Sequence, residues 1–187
     1  MRDLDLTSSS AVPAAREAGW LKYAALVTGV FSALAGFLTF RSVHLANDAV
    51  YYSNRAVLYR AEASDTWAEY QADSVKARVV ETALAAGVAD PAAREQLAGQ
   101  AQDFRARQPP LKDQAEGLER QRDAEVARSQ RRLADKDVLA YAGLAVQVGI
   151  GLASVAALTR WAEALVIGVL VGLVGLGVAA VTLLRTL

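Results

Sequence analysis

Leu45-Ala46-Asn47-Asp48-Ala49-Val50-Tyr51-Tyr52-Ser53-Asn54-Arg55-Ala56-Val57-Leu58-Tyr59-Arg60-Ala61-Glu62-Ala63 is the stretch whose reading decides the fold. Apolar residues recur in it at alternating spacings of four and three: Leu45, Ala49, Tyr52, Ala56, Tyr59 and Ala63. That is the period of a helix packed lengthwise against another helix, and alternating large with small side chains lets two backbones come close. Neither Gly nor Pro interrupts residues 41–86, while Gly36 precedes them and Gly87 ends them. A helix over 41–86 is therefore expected, about 69 Å long at the usual rise.

The composition around this helix is uneven. Apolar residues make up 53% of the 187, above the usual share for a soluble protein, and they concentrate in 23–40, 138–159 and 164–184. Each run approaches the roughly 20 residues that a helix needs to cross a bilayer core, and none contains Asp, Glu, Lys or Arg. The balance of 20 basic and 20 acidic residues thus averages neutral spans with a densely charged region between the first two. It gives no basic excess for nucleic acid. With no cysteine, disulfides, a thiol nucleophile and thiolate metal sites are excluded.

Residues 1–19 form a polar N-terminal segment, with a short helix expected to begin near Pro13. A secretory signal is the rival reading, because Ala33-Leu34-Ala35 resembles a cleavage site. The leader is too long and mixed in charge, and the apolar run continues to Phe40, so 20–40 is read as a retained span. Trp20, Lys22 and Tyr23 suit the membrane–water boundary at its start. Small residues at Ala25, Gly29 and Ala33, and at Ser32 and Gly36, make close helix contacts feasible.

The region 41–137 reads as an antiparallel, coiled-coil-like hairpin. After the 41–86 helix, Gly87 terminates, Asp90 caps and Pro91 opens the next helix. Gln108-Pro109-Pro110 predicts a break, giving helices over 91–107 and 111–137. On the latter, Leu111, Ala115, Leu118, Val126 and Leu133 are expected on one face. The two descending pieces together measure about 66 Å, which matches the ascending arm and returns the chain to the membrane face it left. Spans at 138–159 and 164–184 follow, joined by a tight turn. The first aligns Ala145, Gly149, Ala153 and Ala157; the second places Gly168 and Gly172 four apart, then Gly175. In lipid such small-residue stripes mark helix packing.

Three spans put the N-terminus and Arg160 on one side, and the hairpin and C-terminus on the other. Arg41, Arg55, Arg128, Arg131, Arg132, Lys136 and Arg185 lie on the hairpin side, against Arg16, Lys22 and Arg160 opposite. The positive-inside rule then predicts a cytosolic hairpin and C-terminus and an outside N-terminus.

Residues with candidate chemistry are few. His44 and Asp48 stand one turn apart, but with one His and no Cys a complete metal site is not expected. Gln147, the one amide inside a span, marks a candidate polar path in an oligomeric channel or transporter, with Thr28, Ser32 and Thr39; interhelical hydrogen bonding is its simpler role. The glycines at 172–177 resemble a phosphate loop only in composition, lacking the following Lys-Ser/Thr. No catalytic set can be assembled, so neither an enzyme nor a cofactor is expected. Trp67, Tyr70, Gln71, Ser74 and Lys76 remain, the most distinctive cluster. Trp67, Tyr70 and Ser74 share a face, either packing on the descending arm near Phe104 or Leu111 or docking a partner helix.

At Trp67-Ala68-Glu69-Tyr70-Gln71-Ala72-Asp73-Ser74-Val75-Lys76 and Gln147-Val148-Gly149-Ile150-Gly151-Leu152-Ala153-Ser154-Val155-Ala156-Ala157-Leu158-Thr159, the chain resembles the domain-of-unknown-function 4337 family of bacterial membrane proteins. The pattern is departed from at Glu69, where an aromatic is usual, and at Asp73, where Lys is usual. The resemblance implies one N-terminal span, a helical soluble region and a two-span C-terminal hairpin, and brings no activity. The expectation is an all-α, multi-pass protein of the bacterial inner membrane. In contact with lipid, it acts by oligomerising or joining a larger membrane complex.

Overall fold

The computed structural model describes residues 11–186, with side chains from Gly19 to Arg185. The first ten residues of the expected polar segment 1–19 lie outside that range. Among the described residues the chain is all α, without strands: α1 (Ala11–Ala85), α2 (Pro91–Thr159) and α3 (Ala162–Thr186). Each contains a stretch long and apolar enough to cross a membrane.

The turns follow from a few residues. Gly87 takes φ +92°, a left-handed conformation nearly free of cost only for glycine, and its N–H donates to the Leu84 carbonyl at 3.2 Å. Asp90 Oδ1 then accepts from the Ala92 N–H at 3.1 Å, capping α2, whose first residue Pro91 has no N–H to satisfy. Between α2 and α3 only Arg160 and Trp161 intervene, and Arg160 turns the chain at φ 58°.

The expected break at Gln108-Pro109-Pro110 does not occur. Instead of separate helices over 91–107 and 111–137, α2 runs unbroken through both prolines. Pro109 and Pro110 lack the N–H groups that would bond the carbonyls of Arg105 and Ala106. Arg105, Ala106 and both prolines are exposed, so water can serve those carbonyls, while buried Ala101 and Ala115 hold the helix on either side. Packing overrides the local preference.

The chain forms two compact units, residues 1–47 with 132–187, and residues 48–131. In the first, Phe31, Ala35, Leu38 and Leu45 of α1 pack with Leu139, Ala142 and Val146 of α2 and Ala179 of α3. Its outer surface is apolar too, carrying Leu26, Val30, Phe37, Leu144, Val148, Leu170 and Val174. Ala25, Gly29, Ala33, Ser32 and Gly36, where close helix contacts are feasible, are exposed, and a Cβ on Gly29 or Gly36 would meet nothing within 4 Å. The bulkier row through Phe31 and Leu38 takes the packing face, because it fills the space between three helices.

In the second unit α1 and α2 lie antiparallel along a seam. Ala49, Ala56, Ala63 and Ala77 of α1 are nearly or fully buried at heptad spacing, facing Ala101 and Ala115 of α2. The close approach lets the Ser129 hydroxyl donate across the seam to the Ala49 carbonyl at 2.8 Å. Val126, expected on this face, is 38% exposed, and Glu125 and Ser129 are buried instead; Leu133, expected with it, belongs to the first unit and is 45% exposed there. Glu125 continues the seven-residue step of Leu111 and Leu118, so helix phase places it inward whatever its polarity.

Candidate functional site

In the second unit, the α1 segment 67–76 lies against α2. Trp67 Nε1 donates to Glu119 Oε1 at 3.1 Å and its ring meets Tyr70 edge-on, centroids 5.5 Å apart. Tyr70 and Ser74 line an open groove of about 510 Å³ with Arg78, Glu81, Arg105, Gln108 and Lys112. The Lys76 ammonium stands 5.4 Å from the Phe104 ring centroid. Four of the five expected interaction residues, Trp67, Tyr70, Ser74 and Lys76, thus converge on or beside α2; Gln71 is exposed and takes no part.

Between these residues lies one that the sequence marks only as a departure from the family's usual Lys. Asp73 is 2% exposed, occupying the seam seven residues after Thr66. Lys76 Nζ lies 3.4 Å from its Oδ1 and Arg107 Nε 3.7 Å from its Oδ2, and Oδ2 accepts no hydrogen bond. Both cations are more than half exposed, so they reach inward to the carboxylate from solvent. Farther along the groove, Arg105 forms an ion pair with Glu81 between the helices. The Arg105 guanidinium, hydrogen-bonded to the carboxylate, holds Glu81 below the usual carboxylate range, and Glu81 in turn raises Arg105.

Glu125 is a second buried carboxylate, at 4% exposure. Its Oε1 accepts from Arg128 at 3.0 Å and faces Arg55 at 3.7 Å, while Oε2 has no hydrogen-bond partner. Arg55 also donates to the Tyr59 hydroxyl at 2.8 Å and lies over the Tyr51 and Tyr59 rings. Hydrogen bonding to Tyr59 and Tyr51, with the Glu125 charge behind it, raises its pKa further above the ordinary range. Heptad counting finds both acids: Asp73 follows Tyr52, Tyr59 and Thr66 by sevens, and Glu125 follows Leu111 and Leu118. The arrangement supplies charge pairing between α1 and α2 beside a polar groove.

In the first unit the expected packing residues lie between helices. A Cβ on Gly149 would come within 2.6 Å of the Gly168 carbonyl oxygen, and one on Gly168 within 2.9 Å of the Gly149 oxygen. On Gly172 it would strike the Phe31 ring; on Gly175 it would stand 2.7 Å from the Ala142 oxygen. Ala153 is fully buried. Gln147 is exposed on the outside of this unit, not between its helices. The hydroxyls of Thr28, Ser32 and Thr39 donate to carbonyls four residues back on their own helix, the usual way to satisfy such groups in an apolar setting. Among the described residues no three His, Asp or Glu side chains group as metal ligands.

The described residues thus define an all-helical class: three long helices, each with a stretch apolar enough for a membrane crossing, with α1 and α2 meeting in the second unit along an antiparallel seam that buries two acids. The chain belongs to the family described as Domain of unknown function (DUF4337), whose model matches residues 20–185 and so takes in both units. Comparison with curated proteins and with solved structures gives no match.

Proposed function

We propose that the chain is a multi-pass protein of the bacterial inner membrane that works by association, with copies of itself or within a larger membrane complex, and without catalysis. One observation carries the reading: in the first unit, large apolar side chains such as Leu26, Phe37, Val148, Leu170 and Val174 are exposed on all three helices, around an inside that is itself apolar. Water does not tolerate such an arrangement over this length, whereas a bilayer favours it. The cationic residues flanking the spans support a cytosolic hairpin, presented there as a coiled-coil-like interaction element. The seam, its ion pairs and the Trp67–Lys76 cluster make that element structurally specific.

A channel or transporter is the second reading. Gln147 faces outward, so a path near it would require several copies around a common axis. Alkaline extraction of membranes followed by mass measurement of particles taken up in polymer discs tests the proposal. The protein should resist extraction and run as a multiple of its 19.8 kDa mass or with a partner. Release by alkali, or a lone chain in every disc, would overturn it.

A further inference from the structure

The open groove beside the seam carries more positive charge than the hairpin uses. The register that sets Trp67 against Glu119 and Glu81 against Arg105 places Ser74 opposite Lys112 and Arg78 opposite Gln108. Glu81 and Arg105 answer each other at one end. Arg78 reaches Glu81 through its charge alone, without a hydrogen bond. Along the rest of the lining, Arg78 and Lys112 have no carboxylate between them. Acids of neighbouring turns are engaged elsewhere: Asp73 faces Lys76 and Arg107, and Glu119 accepts from Trp67. Glu116 stands 3.8 Å from Lys112 and 3.9 Å from Arg120, contacts between exposed groups that hold Lys112 only weakly.

Uncharged polar groups in the same stretch are unused as well. Tyr70, Ser74 and Gln108 are half-buried, yet their hydroxyls and amide form no hydrogen bond among the described residues. Thr66 and Thr82, to either side along α1, donate to the carbonyls four residues back; Ser74 does not. Tyr70 and Ser74 also belong to the most distinctive string of the sequence. Pro109 stands in the same lining. A proline inside a helix is a local cost, and costs of that kind gather at functional sites.

We infer that this groove binds a small solute bearing linked phosphate groups. Arg78 and Lys112 hold its charge, and Tyr70, Ser74 and Gln108 donate to its oxygens. Cations gathered in a concave site focus their field, and phosphate oxygens accept several charge-assisted hydrogen bonds at once. The volume of about 510 Å³ falls within the range of small-molecule sites and exceeds what one inorganic phosphate fills. The two cations act about one helical turn apart along the groove, which suits two linked anionic groups better than one. Ala77 and Pro109 are its aliphatic lining, too little to seat an acyl chain, so the ligand is a solute and not a lipid. The site lies wholly within the second unit and does not depend on the membrane reading.

Inorganic pyrophosphate is the probe. In the full chain in mild detergent, Trp20→Phe and Trp161→Phe leave Trp67 as reporter, its ring against that of Tyr70. Titration should give a saturable fluorescence change, and calorimetry on the unsubstituted chain the same midpoint. Inorganic phosphate at matched ionic strength should bind at least about fivefold more weakly. Arg78→Gln with Lys112→Gln should weaken pyrophosphate binding at least about tenfold. Arg60→Gln with Arg94→Gln removes the same charge from exposed positions outside the groove and should change it by less than about twofold. Circular dichroism checks that these variants fold. Ser74→Ala keeps both cations and should weaken binding about threefold, a second test should the Arg78 and Lys112 pair of changes unfold the hairpin. A response that does not saturate, an equal response to chloride at the same ionic strength, equal affinity for phosphate and pyrophosphate, or equal weakening by the two double variants overturns the inference.

Discussion

Asp73→Asn should make the hairpin more stable, although it removes two ion-pair contacts. The carboxylate is 2% exposed and its Oδ2 accepts no hydrogen bond. Leaving such a group unsatisfied costs about 1–3 kcal/mol. Against this stand Lys76 at 3.4 Å and Arg107 at 3.7 Å, long contacts to cations that are 57% and 56% exposed. Contacts of that kind contribute about 0.5 kcal/mol each. Asn keeps the shape and removes the desolvated charge; its amide still leaves one polar atom unpaired, so only part of that cost is relieved, and the released cations turn to water without leaving a buried charge behind. The net gain is about 1 kcal/mol, or roughly 2–4 °C in midpoint for a chain of this size. Arg107→Ala should do the opposite, lowering stability by about 0.5–1.5 kcal/mol, because it strips a compensating charge from a carboxylate that stays buried. Thermal unfolding in mild detergent measures both. Trp67 serves as the probe in a Trp20→Phe, Trp161→Phe background, since its indole N–H bonds Glu119 across the helices. A drop of more than 1 kcal/mol for Asp73→Asn together with a silent Arg107→Ala would refute the reasoning.

Other perturbations reach the remaining parts of the structure. Gly172→Ala should cost about 1–3 kcal/mol by overpacking against the Phe31 ring. Phe31→Leu should reduce that cost in a double-mutant cycle read by denaturation in mixed micelles. Pro109→Ala with Pro110→Ala should stabilise α2 by up to a few kcal/mol, since both sit exposed in a continuous helix and proline costs about 3 kcal/mol there. Hydrogen exchange should show slower amides around 105–114. Because the folded pKa of Glu81 lies below its unfolded value, its link to Arg105 stabilises the hairpin fully above the ordinary carboxylate pKa. That contribution disappears as pH falls through the lowered value, and Glu81→Gln should flatten this acid limb of the stability–pH curve.

Much of the architecture is legible in the residues because it rests on short-range rules. The heptad alanines place the seam, and Gly87, Asp90 and Pro91 write the turn into the chain through one left-handed residue, one cap and one missing N–H. What sequence reasoning misses is where packing overrules a local cost. Pro109 and Pro110 were expected to divide a helix that Ala101 and Ala115 hold together. Val126 and Leu133 look like core by composition, yet helix phase turns Glu125 and Ser129 inward. Asp73 stands out in the sequence only as a departure from a usual Lys, while its register fixes it in the seam. Small residues in the first span were equally ambiguous, because Gly29 and Gly36 mark a surface that permits contact without saying that a helix of the same chain makes it.

The central claim is that a lipid-embedded body presents a helical hairpin for association. Native mass measurement of the full chain, taken directly from membranes into polymer discs at low expression, tests it most directly. Particles should contain two or more copies of the 19.8 kDa chain, or the chain with a stoichiometric protein partner. Discs that hold one chain and no other protein across all preparations would contradict it.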